Sequence, residues 1–250
     1  MKAALATFRV LRNTDANLAT MVRMTDDAAD ADADLVLFPE AAVTGLINND
    51  DPEHDLPLGV AVPGPITDEL GAVARRRSIY LGTGILERDG NCLYDSAVLL
   101  DPKGDLVLTY RRIQPQWHGH NADPDVYRQG EELASVSTRF GTVAFLICGD
   151  IWDDAIVARL REIAPDYVLF PFSRNFGDGS FDQERWDREE ESDHAARAAL
   201  LGATTLMVNG LEDPGLTEYP SFGGALVASA QGKLVCRWPL GVPGILYAEV

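Results

Sequence analysis

The chain has 250 residues, 46% of them hydrophobic and 24% charged, which supplies core for one large α/β domain spanning residues 1–250. A formal net charge of -18 repels phosphate backbones and anionic bilayers at long range, so neither nucleic acid nor membrane is an expected partner. Three cysteines, Cys92, Cys148 and Cys236, lie far apart and form no disulfide framework; with no signal-peptide core or spanning segment, the expected location is the cytoplasm.

In chain order, the patterning alternates strand-like and helix-like segments without a repeat. Strands are predicted over 2–10 and 34–38, with a helix over 14–31 between them. A helix over 67–77 leads into strands over 79–85, 93–100 and 105–110, the last two joined by the turn Asp101-Pro102-Lys103-Gly104. Next come a strand over 143–147, a helix over 153–163, a strand over 167–170 and a helix over 183–201 ending at Gly202. The chain closes with strands over 204–208, 224–229, 233–237 and 245–249, with a hairpin turn at Ala230-Gln231-Gly232. So many hairpins among βα units point to a sheet-rich α/β sandwich rather than a doubly wound sheet.

Two side chains stand where such strands stop. Cys148 ends the apolar run from Thr142 and precedes Gly149-Asp150, a strand-to-helix turn whose N–H groups stabilise a thiolate and can donate to an oxyanion; the alternative is a buried structural cysteine. Glu40 follows Phe38-Pro39 at the end of another buried strand, where shielding by apolar neighbours raises a carboxyl pKa and suits a general base; the alternative is a capping or surface glutamate.

Phe38-Pro39-Glu40, Tyr110-Arg111-Arg112 and Cys148-Gly149-Asp150 together resemble the F-P-E, Y-R-K-x-H and C-x-D contexts of the nitrilase superfamily of carbon-nitrogen hydrolases. Gly45, the segment 91–98, Tyr127-Arg128-Gln129-Gly130, Ala196-Arg197-Ala198, Asn209 and Phe222-Gly223-Gly224 extend the resemblance over nearly the whole chain. It implies a four-layer αββα sandwich with Cys148 as nucleophile, Glu40 as general base and Gly149 N–H as an oxyanion donor. It also implies a small amide or carbamoyl substrate, no cofactor, and a homodimer or larger homo-oligomer.

Two departures stand out. Arg112 occupies the family's lysine position, and none of Lys2, Lys103 and Lys233 falls at the family's spacing to replace it; a guanidinium fork reaches differently from an ammonium. Gln114 fills the place of a histidine, and the second acid falls to Asp123 or Asp125, with Asp125 favoured by its distance from Gly130. Candidate substrate contacts are Trp117, Trp152, Arg174 and Asn175, with core packing or ion pairing as the alternatives. His118 and His120 lack metal-ligand spacing, so no metal is expected. Loss of the lysine leaves open a second class of function, a pseudoenzyme that binds a ligand or partner.

Overall fold

The computed structural model describes residues 1–250. Fourteen strands form: β1 (Lys2–Thr7), β2 (Arg9–Val10), β3 (Leu35–Leu37), β4 (Tyr80–Asp89), β5 (Cys92–Leu100), β6 (Leu106–Arg111) and β7 (Ser135–Thr138), then β8 (Gly141–Phe145), β9 (Tyr167–Phe172), β10 (Thr204–Asn209), β11 (Leu211–Glu212), β12 (Ala225–Ala228), β13 (Leu234–Trp238) and β14 (Gly244–Glu249). Two six-stranded sheets result, ordered β14-β1-β3-β4-β5-β6 and β13-β12-β10-β9-β8-β7, with β2 and β11 pairing separately. The helices are α1 (Thr14–Asp30), α2 (Pro52–Asp55), α3 (Pro65–Arg77), α4 (Asp154–Ile163), α5 (Gln183–Glu189) and α6 (Glu191–Leu201).

Alternation along the strands sorts side chains into two cores. Ala3, Leu5, Leu35 and Leu37 point between the sheets and meet Phe145, Leu169 and Leu206. Their neighbours Ala4, Ala6 and Val36 point the other way, onto Leu18, Met21, Met24 and Ala28 of α1 and Leu70 and Ala74 of α3. Those helical positions recur every three or four residues, so each helix offers one apolar stripe, and each fully buried Leu or Met stabilises the layer by about 1.5–3 kcal/mol. Asn13 Oδ1 caps α1 by accepting from Ala16 N at 3.0 Å. On the far side, Ile156, Val157 and Leu160 of α4 and Ala195 and Ala198 of α6 cover the second sheet. The layers are thus α, β, β and α, as expected.

The differences from the sequence reading are local. The first predicted strand splits at Phe8, because Arg9–Val10 leaves the large sheet to pair with β11. The predicted helix over 183–201 breaks at Glu190. On a straight helix Trp186 and His194 would be separated by about 12 Å along the axis; the break brings their ring centroids to 5.2 Å, both against Phe172. Short β7 and α2 are polar segments with too little periodicity to stand out. No helix is long and apolar enough to cross a membrane.

β3, β6 and β8 end at one margin of the paired sheets. In the first sheet β4 is parallel to β3 and antiparallel to β5, which is antiparallel to β6, so β3 and β6 run the same way. Glu40, Arg112 and Cys148 follow their last residues.

Candidate active site

Cys148 opens a 3-10 turn, Cys148–Trp152, separated from the end of β8 by Leu146 and Ile147. Its φ of 44° lies in the left-handed region, which for a residue with a Cβ costs about 1–3 kcal/mol and persists only where surroundings enforce it. Asp150 supplies that enforcement. Its Oδ2 accepts from Ile147 N at 3.0 Å and Tyr110 Oη at 2.7 Å, and its Oδ1 accepts from Ile113 N at 3.1 Å and Gln114 N at 2.8 Å. One buried carboxylate thereby staples the turn bearing Cys148 to the segment bearing Arg112. Burial pushes the Asp150 pKa up, and the tyrosine, the N–H donors and Arg112 oppose it. Arg197 of α6 holds the same turn from behind, its Nε donating to Ile151 O at 2.6 Å.

Arg112 is 3% exposed. Its Nη1 donates to Glu40 Oε1 at 3.0 Å and Asp95 Oδ2 at 3.2 Å, and its Nη2 to Gln114 Oε1 at 3.0 Å. Burial alone would lower its pKa, but the acidic groups around it, Cys148, Glu40, Asp95 and Asp150, outweigh that and hold it protonated. Glu40 is equally enclosed. Burial raises its carboxyl pKa well above the ordinary range, the nearby Cys148 and Asp95 add to the rise, and Arg112 only partly offsets it. Backbone contact makes the enclosure tight: a Cβ on Gly84 of β4 would lie 2.5 Å from Glu40 Cα, and one on Gly149 would lie 2.4 Å from Arg112 Nη2. Glu40, Arg112, Cys148 and Gly149 are therefore brought to one locus.

Cys148 Sγ lies 3.7 Å from Ser173 O, just past β9. Ser173 lines a cavity of about 370 Å³ together with Leu46, Asn175, Glu212, Thr217 and Tyr219, a volume suited to a small molecule. Neither this cavity nor a larger cleft of about 730 Å³, lined by Tyr94, Arg111, Gln129 and Glu131 among others, is lined by Glu40, Arg112 or Cys148. The 3.7 Å contact of Cys148 Sγ with Ser173 favours the smaller cavity as the candidate substrate space.

Other expected site residues lie elsewhere. Asp125 is exposed, and Asp123 accepts from Asp125 N at 2.9 Å in a self-contained loop turn; the second carboxyl against Arg112 is Asp95, a correction to the sequence expectation. Trp117 is 4% exposed inside a small apolar cluster with Leu86, Leu93 and Tyr127, so it packs that cluster rather than lining the cavity. Trp152 is 46% exposed and stands edge-on to His194 at 5.0 Å, outside the cavity lining. The Arg174 guanidinium is taken by Glu190 and by Asn175 O, while its backbone N–H is held by Asn209 Oδ1 at 2.7 Å. Asn175 does line the cavity, with its Nδ2 donating to Tyr219 O at 2.7 Å. His118 packs on Trp117 and Tyr127 and meets Gln129 Nε2 at 2.9 Å. Sequence reasoning gave no role to Asp95 or Asp150; a charged residue inside an otherwise apolar strand was the available signal for Asp95.

Comparison with known proteins bears on the family and the fold. Nitrilase 3 of Arabidopsis thaliana is 26% identical over 185 residues, covering 64% of this chain and 52% of the relative. An aliphatic nitrilase of Sinorhizobium fredii is 29% identical over 154 residues, 56% of this chain and 49% of the relative. The chain spans about half the length of the curated relatives it matches. Among solved structures, a carbon-nitrogen hydrolase from Helicobacter pylori superposes with a TM-score of 0.85 at 16% identity, covering 99% of this chain and 88% of that one. An amidase from Nesterenkonia sp. gives 0.81 at 20% identity, covering 100% and 90%; at these identities the likeness speaks for the fold alone. The carbon-nitrogen hydrolase family profile matches residues 2–250, and with the sandwich in place the chain belongs to that family, the nitrilase superfamily.

Proposed function

We propose that residues 1–250 act as one hydrolase domain that cleaves non-peptide C–N bonds of small amide or carbamoyl compounds through a thioester on Cys148. The observation that carries this reading is the buried pairing of Glu40 with Arg112 at 3.0 Å, 72 residues apart in sequence, beside the turn on which Gly149 presses against the same guanidinium. In this reading Glu40 takes the Cys148 proton as sulfur attacks the carbonyl carbon, then gives it to the departing nitrogen. The same carboxyl next removes a proton from the water that attacks the thioester. A raised carboxyl pKa serves both tasks, because a group that both accepts and returns a proton works best when its pKa lies near the operating pH.

Arg112 supplies a fixed positive charge where negative charge develops on the substrate oxygen, and Gly149 N–H supplies a directed donor. Its Nη groups are already engaged by Glu40, Asp95 and Gln114, so Arg112 acts through its field and by fixing the base more than by a free hydrogen bond. That engagement also favours the second reading, a ligand-binding module with impaired chemistry. One experiment separates the two: ammonia release across a panel of ω-amido acids, carbamoyl amines and simple amides, with intact-mass detection of iodoacetamide labelling. The hydrolase reading expects ammonia from at least one compound, abolished by Cys148→Ala, and labelling of Cys148 far faster than Cys92 or Cys236, slowed by Glu40→Gln. Equal labelling of the three thiols with no ammonia from any compound refutes it in favour of the binding module.

A further inference from the structure

The Arg112 guanidinium faces two enclosed carboxyls, not one. Asp95 sits within β5, its side chain is 0% exposed, and its Oδ2 shares Nη1 of Arg112 with Glu40 Oε1. Arg112 N also donates to Asp95 O at 2.8 Å, which locks the two residues in register. Glu40 Oε1 and Asp95 Oδ2 lie 3.0 and 3.2 Å from Arg112 Nη1, which draws the two carboxyls together. Each carboxyl nevertheless keeps one buried oxygen without a partner, Glu40 Oε2 and Asp95 Oδ1. Asp150 makes the contrast, since both of its oxygens are supplied by donors.

Charge counting sharpens the point. Two ionised carboxylates against one guanidinium would leave an uncompensated negative charge in a closed site, even before Cys148 gives up its proton. Neighbouring carboxyls avoid this by retaining a proton, because like charges at such separation do not both ionise. One retained proton also gives an orphaned acceptor a donor, removing the desolvation penalty of a buried unmade bond. The remaining charged or titratable groups facing the pair are Cys148 and Asp150 with its Tyr110 partner. Glu87 belongs instead to Arg111 and Ser96.

We propose that Asp95 is a positioning residue of the reaction: Glu40 and Asp95 hold a single proton between them across the Arg112 guanidinium, so that the base works as one half of a carboxyl dyad. The catalytic consequence rests on the hydrolase reading; the proton sharing does not. At rest the singly ionised dyad balances Arg112, and the thiol is neutral. On attack the S–H bond breaks, its proton goes to the dyad's open oxygen, an S–C bond forms and the carbonyl π pair moves onto oxygen. The dyad is then neutral and the oxyanion balances Arg112. Collapse re-forms the carbonyl and breaks the C–N bond as the dyad returns a proton to nitrogen. In the second half, water gives its proton to the dyad as its oxygen attacks the thioester, and collapse breaks the C–S bond with the proton returning to sulfur. The site's net charge is unchanged at every stage, so no step moves uncompensated charge into the interior.

The test is infrared difference spectroscopy of the full chain at neutral pH, following the protonated-carboxyl C=O band, for wild type against Asp95→Asn and against Glu40→Gln. Each substitution leaves one carboxylate paired with Arg112, so both difference spectra show loss of a protonated carboxyl, and Asp95→Glu restores it. Any band common to all variants belongs to other buried carboxyls and cancels. A second readout is kinetic: the pH profile of Cys148 alkylation shows two transitions in wild type, the ionisation common to any thiol and a further one where the shared proton leaves, and only the first in Asp95→Asn. A purely structural Asp95 slows alkylation without removing the further transition. Absence of the band from either difference spectrum, or a further transition that survives in Asp95→Asn, overturns the proposal. If Asp95→Asn does not fold, Glu40→Gln against wild type decides alone. A wild type with the band and the transition but no ammonia from any amide would sink the hydrolase reading while leaving the dyad standing.

Discussion

Gly149→Ala isolates the placement of the Arg112 guanidinium from its chemistry. The added Cβ would lie 2.4 Å from Arg112 Nη2, 2.6 Å from Gln114 Oε1 and 3.1 Å from Gln114 Cδ, all shorter than or at the edge of van der Waals contact. Gly149 does not occupy the left-handed region, so alanine brings steric overlap without backbone strain. Neither neighbour is free to swing away: Nη1 is tied to Glu40 and Asp95, and Gln114 Oε1 accepts from both Nη2 and Gln116 N. Overlap of this kind costs about 1–3 kcal/mol, and here the relief comes from displacing a guanidinium and tilting the Gly149 N–H. Loss of one well-aimed donor costs about two to three orders of magnitude in turnover. Ammonia release by Gly149→Ala is therefore expected to fall by roughly 100-fold or more, while the melting temperature falls by about 2–12 °C, at about 2–4 °C per kcal/mol for a chain of this size. Turnover equal to wild type, on a substrate that wild type hydrolyses, would refute the reasoning that this contact sets the site.

Arg112→Lys replaces a fork that reaches Glu40, Asp95 and Gln114 with a single ammonium; turnover on the same substrate is expected to drop about tenfold or more, and a gain in ammonia release would show instead that the arginine is a degraded lysine. Glu40→Gln tests the linkage between titration and folding. A carboxyl whose folded pKa is raised contributes stability at acid pH that is lost as pH rises from its unfolded value through its folded value. The variant, which lacks that loss, should gain melting temperature relative to wild type more at about pH 8 than at about pH 5; scanning calorimetry at both values checks it, and a difference of opposite sign contradicts the assignment.

Much of the fold was readable because strand alternation and helix caps are local signals. Leu35 and Leu37 against Val36 and Phe38, or Asn13 ahead of α1, announce themselves in a few residues. Glu40 and Cys148 were legible for a related reason: each interrupts an apolar run with a polar group, and strand ends are where such groups can face a cavity. Asp95 was harder to see, because its importance lies in a partner 17 residues away that only the pairing of β5 with β6 brings alongside. Asp125 drew attention by spacing alone, yet an exposed loop of Asp, Pro and Asn closes on its own backbone and leaves the interior. Trp117 and Trp152 show the same limit, since one indole packs a local cluster, the other stands half in solvent, and no sequence pattern distinguishes those fates.

Glu40, Asp95 and Arg112 hang from one sheet, and Cys148 and Ser173 from the other. Neither slab holds a working set of groups by itself, so reactivity arises only when the two are laminated in correct alignment. The heightened nucleophilicity expected of Cys148 is consequently a chemical gauge of lamination: a loosened or half-assembled molecule would keep its thiol yet lose the neighbours that sharpen it.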